Sequence, residues 1–357
     1  MKTNSLSQKS EGQATPKELG YAFPAEFAPH QATWLSWPHK EASWPGKIHT
    51  IFPAYANFVK ALAAVEEVHI NVADQQMKSF ATKHLEAVGT DLLKVFFHDF
   101  PTNDAWCRDH GPAFLTNPRS DQPKALVKWN YNAWGGKYPP FDLDNQIPHH
   151  IAAYRNIPCF TPGIVMEGGS IEVNGKGTLL TTEACLCNPN RNPHLTKSQI
   201  EKYLEDYYGV ENILWLGDGI EGDDTDGHID DLTRFVNEDT VLTVVEHNKK
   251  DVNYKPLKEN TKLLHKLRLE NGKQLSIIEL PMPAPIIFED MRLPASYANF
   301  YIANDLVVVP TFRDDNDEKA LEIIASAFPE RKVIGIDSLD LIWGLGSFHC
   351  LSQQEPV

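Results

Sequence analysis

The chain has 357 residues, 42% of them hydrophobic and 10% aromatic, enough apolar side chain for one large domain or two ordinary ones. Lys and Arg number 33 against 48 Asp and Glu, a formal charge of -15 that disfavours nucleic acid and anionic membrane and favours a small cationic ligand. No apolar run approaches membrane-span length, and five irregularly spaced cysteines fit free thiols in a reducing compartment, so a cytoplasmic protein is expected.

Residues 1–18 are polar without an apolar period and read as a flexible N-terminal tail; residues 19–357 read as a single domain, because no linker or composition shift divides them. Trp34, Trp37 and Trp44 cluster near its start. Helical periodicity runs from Phe52 to Glu66, followed by the strand V-H-I-N-V-A. Asp74 caps a second helix that Gly89 stops, and V-F-F-H-D-F is the next strand. Further strands are expected at A-L-V-K-W-N-Y, G-T-L-L-T-T, N-I-L-W-L, V-L-T-V-V, L-S-I-I-E-L, D-L-V-V-V-P and K-V-I-G-I-D. Helices are expected at Asp144–Asn156, Lys197–Tyr208, Pro256–Leu269 and Asp317–Phe328. Strands interleaved with single helices make an α/β protein, in roughly five blocks.

The densest chemistry lies in E-G-D-D-T-D-G-H-I-D-D, residues 221–231. On an extended strand His228 and Asp230 share a face, with Asp224 and Asp226 on the approach loop. So many carboxylates call for a cation: a metal, a basic side chain or a substrate. An EF-hand register with Gly227 sixth would put Gly222 first and Thr233 twelfth, which excludes that calcium loop. Cys185-x-Cys187 alternates on an apparent buried strand, and no metal site is expected. In N-D-A-W-C-R-D-H-G-P, Asp104, Trp106 and Asp109 could line a pocket, or Arg108 and an Asp could simply close a turn. M-E-G-G-S, read alone, is a turn with a solvated Glu167. Gly-rich, polar surroundings near the C-terminus suit an exposed Cys350, while Cys107 beside Arg108 is the competing nucleophile.

Together these segments resemble the agmatine deiminase family of the pentein, guanidine-modifying superfamily. The likeness extends from about Phe23 to Pro356 and includes P-A-E-F-A-P-H-Q-A-T-W-L-S-W-P, W-N-Y-N-A-W-G-G, N-P-N-R-N-P-H-L, L-P-A-S-Y-A-N-F and G-S-F-H-C-L-S-Q-Q-E-P. Ser347 and Phe348 stand where Asn and Ile are common in the family, a departure that could reshape the mouth of the site. The resemblance implies a pentein fold, five ββαβ-type units in a pseudo-fivefold α/β propeller with the active site at its centre. It implies Cys350 as nucleophile, His228 as catalytic histidine with Glu167 beside it, and Asp109 and Asp230 as the guanidinium-holding aspartates. Trp106 and Asp104 would line the substrate's path, with Asp224 near its distal amine.

The implied reaction is deimination of agmatine to N-carbamoylputrescine and ammonia, through an amidino-cysteine and without metal or cofactor; a homodimer is expected. The same scaffold could serve a peptidyl- or free-arginine deiminase, but an α-carboxylate would need a basic clamp where these motifs offer carboxylates and Trp. An inactive polyamine-binding module is the non-enzyme alternative, and joint retention of Cys350, His228, Asp230, Glu167 and Asp109 argues against it.

Overall fold

Residues 14–357 are described in a computed structural model; positions 1–13 of the expected tail lie outside the described residues. Within the remainder of that expected tail, Lys17 is anchored, its backbone N–H donating to Asp206 O at 3.0 Å and its Nζ to Val210 O at 2.9 Å.

One strand pattern recurs five times among the described residues: an antiparallel pair extended by a parallel third strand. It is formed by Ala113–Thr116, Lys124–Val127 and Cys159–Phe160, and by Ile171–Val173, Thr178–Thr182 and Asn212–Leu216. Thr233–Phe235, Thr240–Val245 and Ser276–Pro281 repeat it, as do Tyr301–Ile302, Leu306–Thr311 and Lys332–Asp337. In the fifth case the first strand comes from the opposite end of the chain. Ser352–Pro356 pairs antiparallel with His30–Ser36, which pairs parallel with Glu67–Val72 and through it with Val95–Asp99.

Each parallel step is crossed by a helix: Ile48–Ala63, Gln75–Ala87, Ile147–Arg155, Lys197–Tyr208, Tyr254–Lys266 or Asp317–Ala327. These are five ββαβ-type units of an α/β fold. The helices cover the sheets, so strands such as Leu306–Thr311 read as continuous apolar runs rather than alternating ones. Local chemistry sets the ends. In Lys197–Tyr208 a capping box joins Thr196 and Gln199, Ile200, Leu204 and Tyr208 form the buried stripe, and Gly209 ends the helix at φ 69°. The first helix begins at Ile48 rather than Phe52, and Tyr254–Lys266 sits slightly ahead of the expected span. Cys185 and Cys187 are not on a strand. Thr182 caps a short helix, Glu183–Leu186, which buries Cys185 and leaves Cys187 exposed.

The connections that enter each first strand carry the chemistry. Cys107–His110 precedes Ala113, Gly168–Ser170 precedes Ile171, Ile229–Asp231 precedes Thr233, Asn299 precedes Tyr301, and Cys350 precedes Ser352. The C-terminal strand therefore both closes the first sheet and fixes Cys350. Truncation after Leu351 is expected to lower the melting temperature by roughly 5 °C or more and to abolish turnover. Scanning calorimetry with an activity assay checks this; an unchanged melt would show that the closure holds nothing.

Candidate active site

Gly169 sits where three functional side chains meet. A Cβ there would lie 2.6 Å from His228 Nδ1, 2.9 Å from Asp109 Oδ1 and 3.0 Å from Asp230 Oδ2, so only glycine admits all three. Its N–H also donates to Asp109 Oδ1 at 2.9 Å. The M-E-G-G-S turn is thus a close approach of backbone to the site rather than a surface turn. His228 and Asp230 do not alternate along a strand; they stand at a 3-10 turn over Ile229–Asp231, and both are fully buried. The turn is set from the approach loop, where Asp223 accepts from the backbone N–H of Gly227 and of His228, each at 3.0 Å.

Asp109 faces His228 with Oδ1 3.8 Å from Nδ1, and its Oδ2 accepts from Trp134 Nε1 at 2.9 Å. Burial pushes the Asp109 carboxyl up to about 6, against the pull of His228. Trp134 was not singled out in the sequence. It reaches Asp109 from A-W-G-G, where Ala133, Trp134, Gly135 and Gly136 all have positive φ; for Trp134, at φ 54°, this is a strained conformation. For His228 burial works against the charged form, but Asp109, Cys185 and Asp230 outweigh it and raise its pKa well above the usual value.

Glu167 is not solvated: it is fully buried, and its Oε1 accepts from Arg191 Nε at 2.7 Å. Arg191, from N-P-N-R-N-P, also donates to Thr225 O at 2.8 Å and pairs with Asp226, tying Glu167 to the approach loop. The other oxygen, Glu167 Oε2, and both His228 ring nitrogens are buried without hydrogen-bond partners. Glu167, Cys185 and His228 each offer one ligand atom within 4.8 Å of one another, a donor set that suits zinc. The Arg191 guanidinium bound to Glu167 places a positive charge at that spot and opposes a second cation.

Cys350 is 5% exposed, contrary to the open thiol its Gly-rich surroundings suggest. It faces a cleft lined also by Trp106, Asp109, Trp134 and Gly346. Its Sγ lies 3.6 Å from Asp230 Oδ2 and accepts from Asn299 Nδ2 at 3.0 Å, while Asn299 Oδ1 accepts from the backbone N–H of His349 and Cys350. Asn299, another residue the sequence did not single out, thus holds Cys350 at both sulfur and backbone. Burial raises the thiol pKa well above the ordinary value, and Asp230, Asp231 and Asp109 add to it. Cys107 is fully buried away from this cleft, with burial pushing its pKa up to about 12.

At the mouth, Trp106 packs on Trp44 with ring centroids 5.2 Å apart. Asp104 lines the cleft but is committed: Oδ2 accepts from Ser43 and faces Lys40 Nζ at 3.4 Å, and Oδ1 accepts from Ala105 N. Asp224 is half-exposed and pairs with Lys137 Nζ at 3.2 Å and with the Tyr138 hydroxyl. Arg108 closes no turn with an Asp; it runs inward to Glu26 at 2.9 Å. Ser347 and Phe348 do not form the mouth, since both are fully buried, Ser347 against Ser338 and Phe348 against Phe58.

Residues 22–356 match the model of the Porphyromonas-type peptidyl-arginine deiminase family. Agmatine deiminase of Pseudomonas syringae pv. tomato is 36% identical over 367 residues, covering 96% of this chain and 98% of the relative. The structure of agmatine deiminase of Enterococcus faecalis, described as catalysing its reaction, superposes with a TM-score of 0.89 at 33% identity, over 98% of this chain and 99% of that one. A Cys-to-Ser variant of C. jejuni agmatine deiminase with substrate bound gives 0.85 at 32%, over 94% and 96%.

The differing burial of the thiols has a direct consequence. Iodoacetamide mapped by mass spectrometry should label exposed Cys187 first and Cys350 more slowly, with Cys107 and Cys185 labelled only after unfolding. Labelling of Cys107 in the folded protein would contradict this placement.

Proposed function

The chain belongs to the Porphyromonas-type peptidyl-arginine deiminase family, and we propose that its buried centre carries out the hydrolytic deimination of agmatine on Cys350. It is a hydrolase of an amidine C–N bond, turning agmatine and water into N-carbamoylputrescine and ammonia. The observation that carries the reading is that four inter-unit connections bring Cys350 and Asp109 to one cleft, with His228 and Asp230 packed beside Asp109 and Glu167 close to His228.

A guanidinium is planar, so carboxylates at its edges can fix its orientation and present its central carbon to a sulfur. Asp109 and Asp230 supply those edges, and Asp230 Oδ1 is a buried acceptor with no protein partner. The Cys350 thiolate adds to the carbon, giving a tetrahedral adduct. His228 protonates the departing nitrogen, which leaves as ammonia. An amidino-thioether remains. His228, with Glu167 beside it, takes a proton from water; the resulting hydroxide attacks the same carbon, and collapse expels the Cys350 thiolate and releases the ureido product. The ureido product gives up its hydroxyl proton to solvent, and the steps then balance with water as the sole co-reactant.

The thiol starts unfavourably. An ordinary cysteine is only about 3% thiolate at neutral pH, and burial with three neighbouring aspartates lowers that fraction here. The substrate's cation reverses the sign of the local field, so binding itself promotes ionisation. Trp106 would flank the alkyl chain, and Asp224 and Asp104 at the mouth favour a cationic tail. The near basic groups there, Lys40 and Lys137, are already paired with carboxylates, which leaves an α-carboxylate without a free clamp. Five free thiols support a cytoplasmic setting, and the general prevalence of twofold oligomers supports a homodimer, which sedimentation would test.

Ammonia release is expected from agmatine, little or none from free arginine or a blocked arginyl peptide, and none from Cys350→Ala. Activity surviving that substitution would move the nucleophile elsewhere, and preference for arginine or peptide would overturn the substrate. Titrating thiolate ultraviolet absorbance should place Cys350 ionisation at lower pH with a non-reactive guanidine bound than without it. Identical titrations would dismiss substrate-promoted ionisation.

A further inference from the structure

Three charged residues have no part in the chemistry above: Glu26 in the P-A-E-F motif, Arg234 three residues after the acidic stretch, and His349 before Cys350. All are buried, and they meet directly behind Asp230. Glu26 Oε2 accepts from Arg108 Nη2 at 2.9 Å and lies 2.8 Å from His349 Nε2. Its Oε1 accepts from Arg234 Nη2 and from Ile302 N, both at 2.9 Å. The other nitrogen of His349, Nδ1, lies 2.7 Å from Asp230 Oδ2. Arg234 also donates through Nε to Glu172 Oε2 at 3.1 Å.

Ionised carboxylate oxygens accept hydrogen bonds, and His349 spans two carboxyl groups, one at each ring nitrogen. The effect on Asp230 is specific. Oδ2 is taken by His349 and turned past Cys350 Sγ, whereas Oδ1 is left buried and unpartnered. A carboxylate held by one oxygen presents the other in one direction. Building on the agmatine reading, we propose that His349, anchored on Glu26, is a positioning residue that fixes Asp230 Oδ1 to receive the substrate's guanidinium N–H. Burial would raise the Asp230 pKa, but the hydrogen bond and charge of His349 overcome this and lower it, which keeps the carboxylate ionised for a cation.

A double-mutant cycle tests the proposal, with agmatine binding measured calorimetrically in a Cys350→Ala background. His349→Gln should weaken binding about tenfold or more, but less than about twofold once Asp230→Asn is also present, because both changes remove one interaction. Equal losses in both backgrounds would reduce His349 to packing and overturn the proposal, as would unchanged binding in His349→Gln. If His349→Gln lacks a cooperative melting transition, Glu26→Gln replaces it in the same cycle with the same expected coupling, and additivity there overturns the proposal too. Failure of Cys350→Ala alone to bind agmatine would instead remove the functional reading, and this inference with it.

Discussion

Buried negative charge is the constraint on which this structure depends. Glu26, Asp109, Glu167, Glu172, Asp230 and Asp231 are each at most 5% exposed and crowd the centre of one fold. Taking a carboxylate out of water costs several kcal/mol even after relaxation, so each needs a countercharge or dense hydrogen bonding. Away from the cleft the need is met: Arg191 serves Glu167, while Arg108 and Arg234 serve Glu26 and Glu172. Towards the cleft it is only half met. Asp109 is hydrogen-bonded through both oxygens but only by neutral donors, and Asp230 has one oxygen held and the other unpartnered, so positive charge is still wanting there. The same imbalance explains why a buried thiol so poorly suited to ionise can still be the nucleophile.

The repeat supplies the geometry. Each ββαβ unit begins with a short antiparallel strand, and the residues just ahead of that strand point to the common centre. Asp109, Glu167 with Gly169, His228 with Asp230, Asn299 and Cys350 therefore occupy equivalent places in five successive connections. Sequence distance is irrelevant to their meeting. His349 and Glu26 are 323 residues apart in sequence yet their side chains meet at 2.8 Å, because the last strand returns to the first sheet.

This arrangement also explains what was legible in the sequence. Strands covered by helices carry apolar runs bounded by caps and glycines, so Thr178–Thr182, Asn212–Leu216, Lys332–Asp337 and the helix Lys197–Tyr208 could be read almost to the residue. The five-unit order could only be suspected, because the units share a backbone pattern rather than residues. The motifs named the chemical groups but not their environments. Glu167 looked solvated because Arg191, 24 residues on, is invisible to local pattern, and Cys350 looked exposed because its glycines make room for Trp106 rather than for water. Trp134, Asn299 and Arg191 were overlooked for the same reason: each acts through a partner far along the chain.

The division between centre and mouth bears on specificity. Under the proposed reaction, fixed carboxylates at the centre would hold the guanidinium head common to all candidate substrates, so selection among guanidines would fall to the rim. There the interactions are exposed and cheap to exchange. Asp224 and Lys137 are each about a third accessible on the side chain, and such ion pairs contribute about 0–1 kcal/mol. The Lys137 ammonium, at the end of an alkyl chain beside Asp224, already occupies the kind of position that the distal amine of agmatine would take. Exchanging one ammonium for another keeps the charge pairing of Asp224 intact, whereas bringing a carboxylate to the same place would set like charges together. The rim thus discriminates by the sign of the tail, and the buried centre, whatever the tail, by the shape of the head.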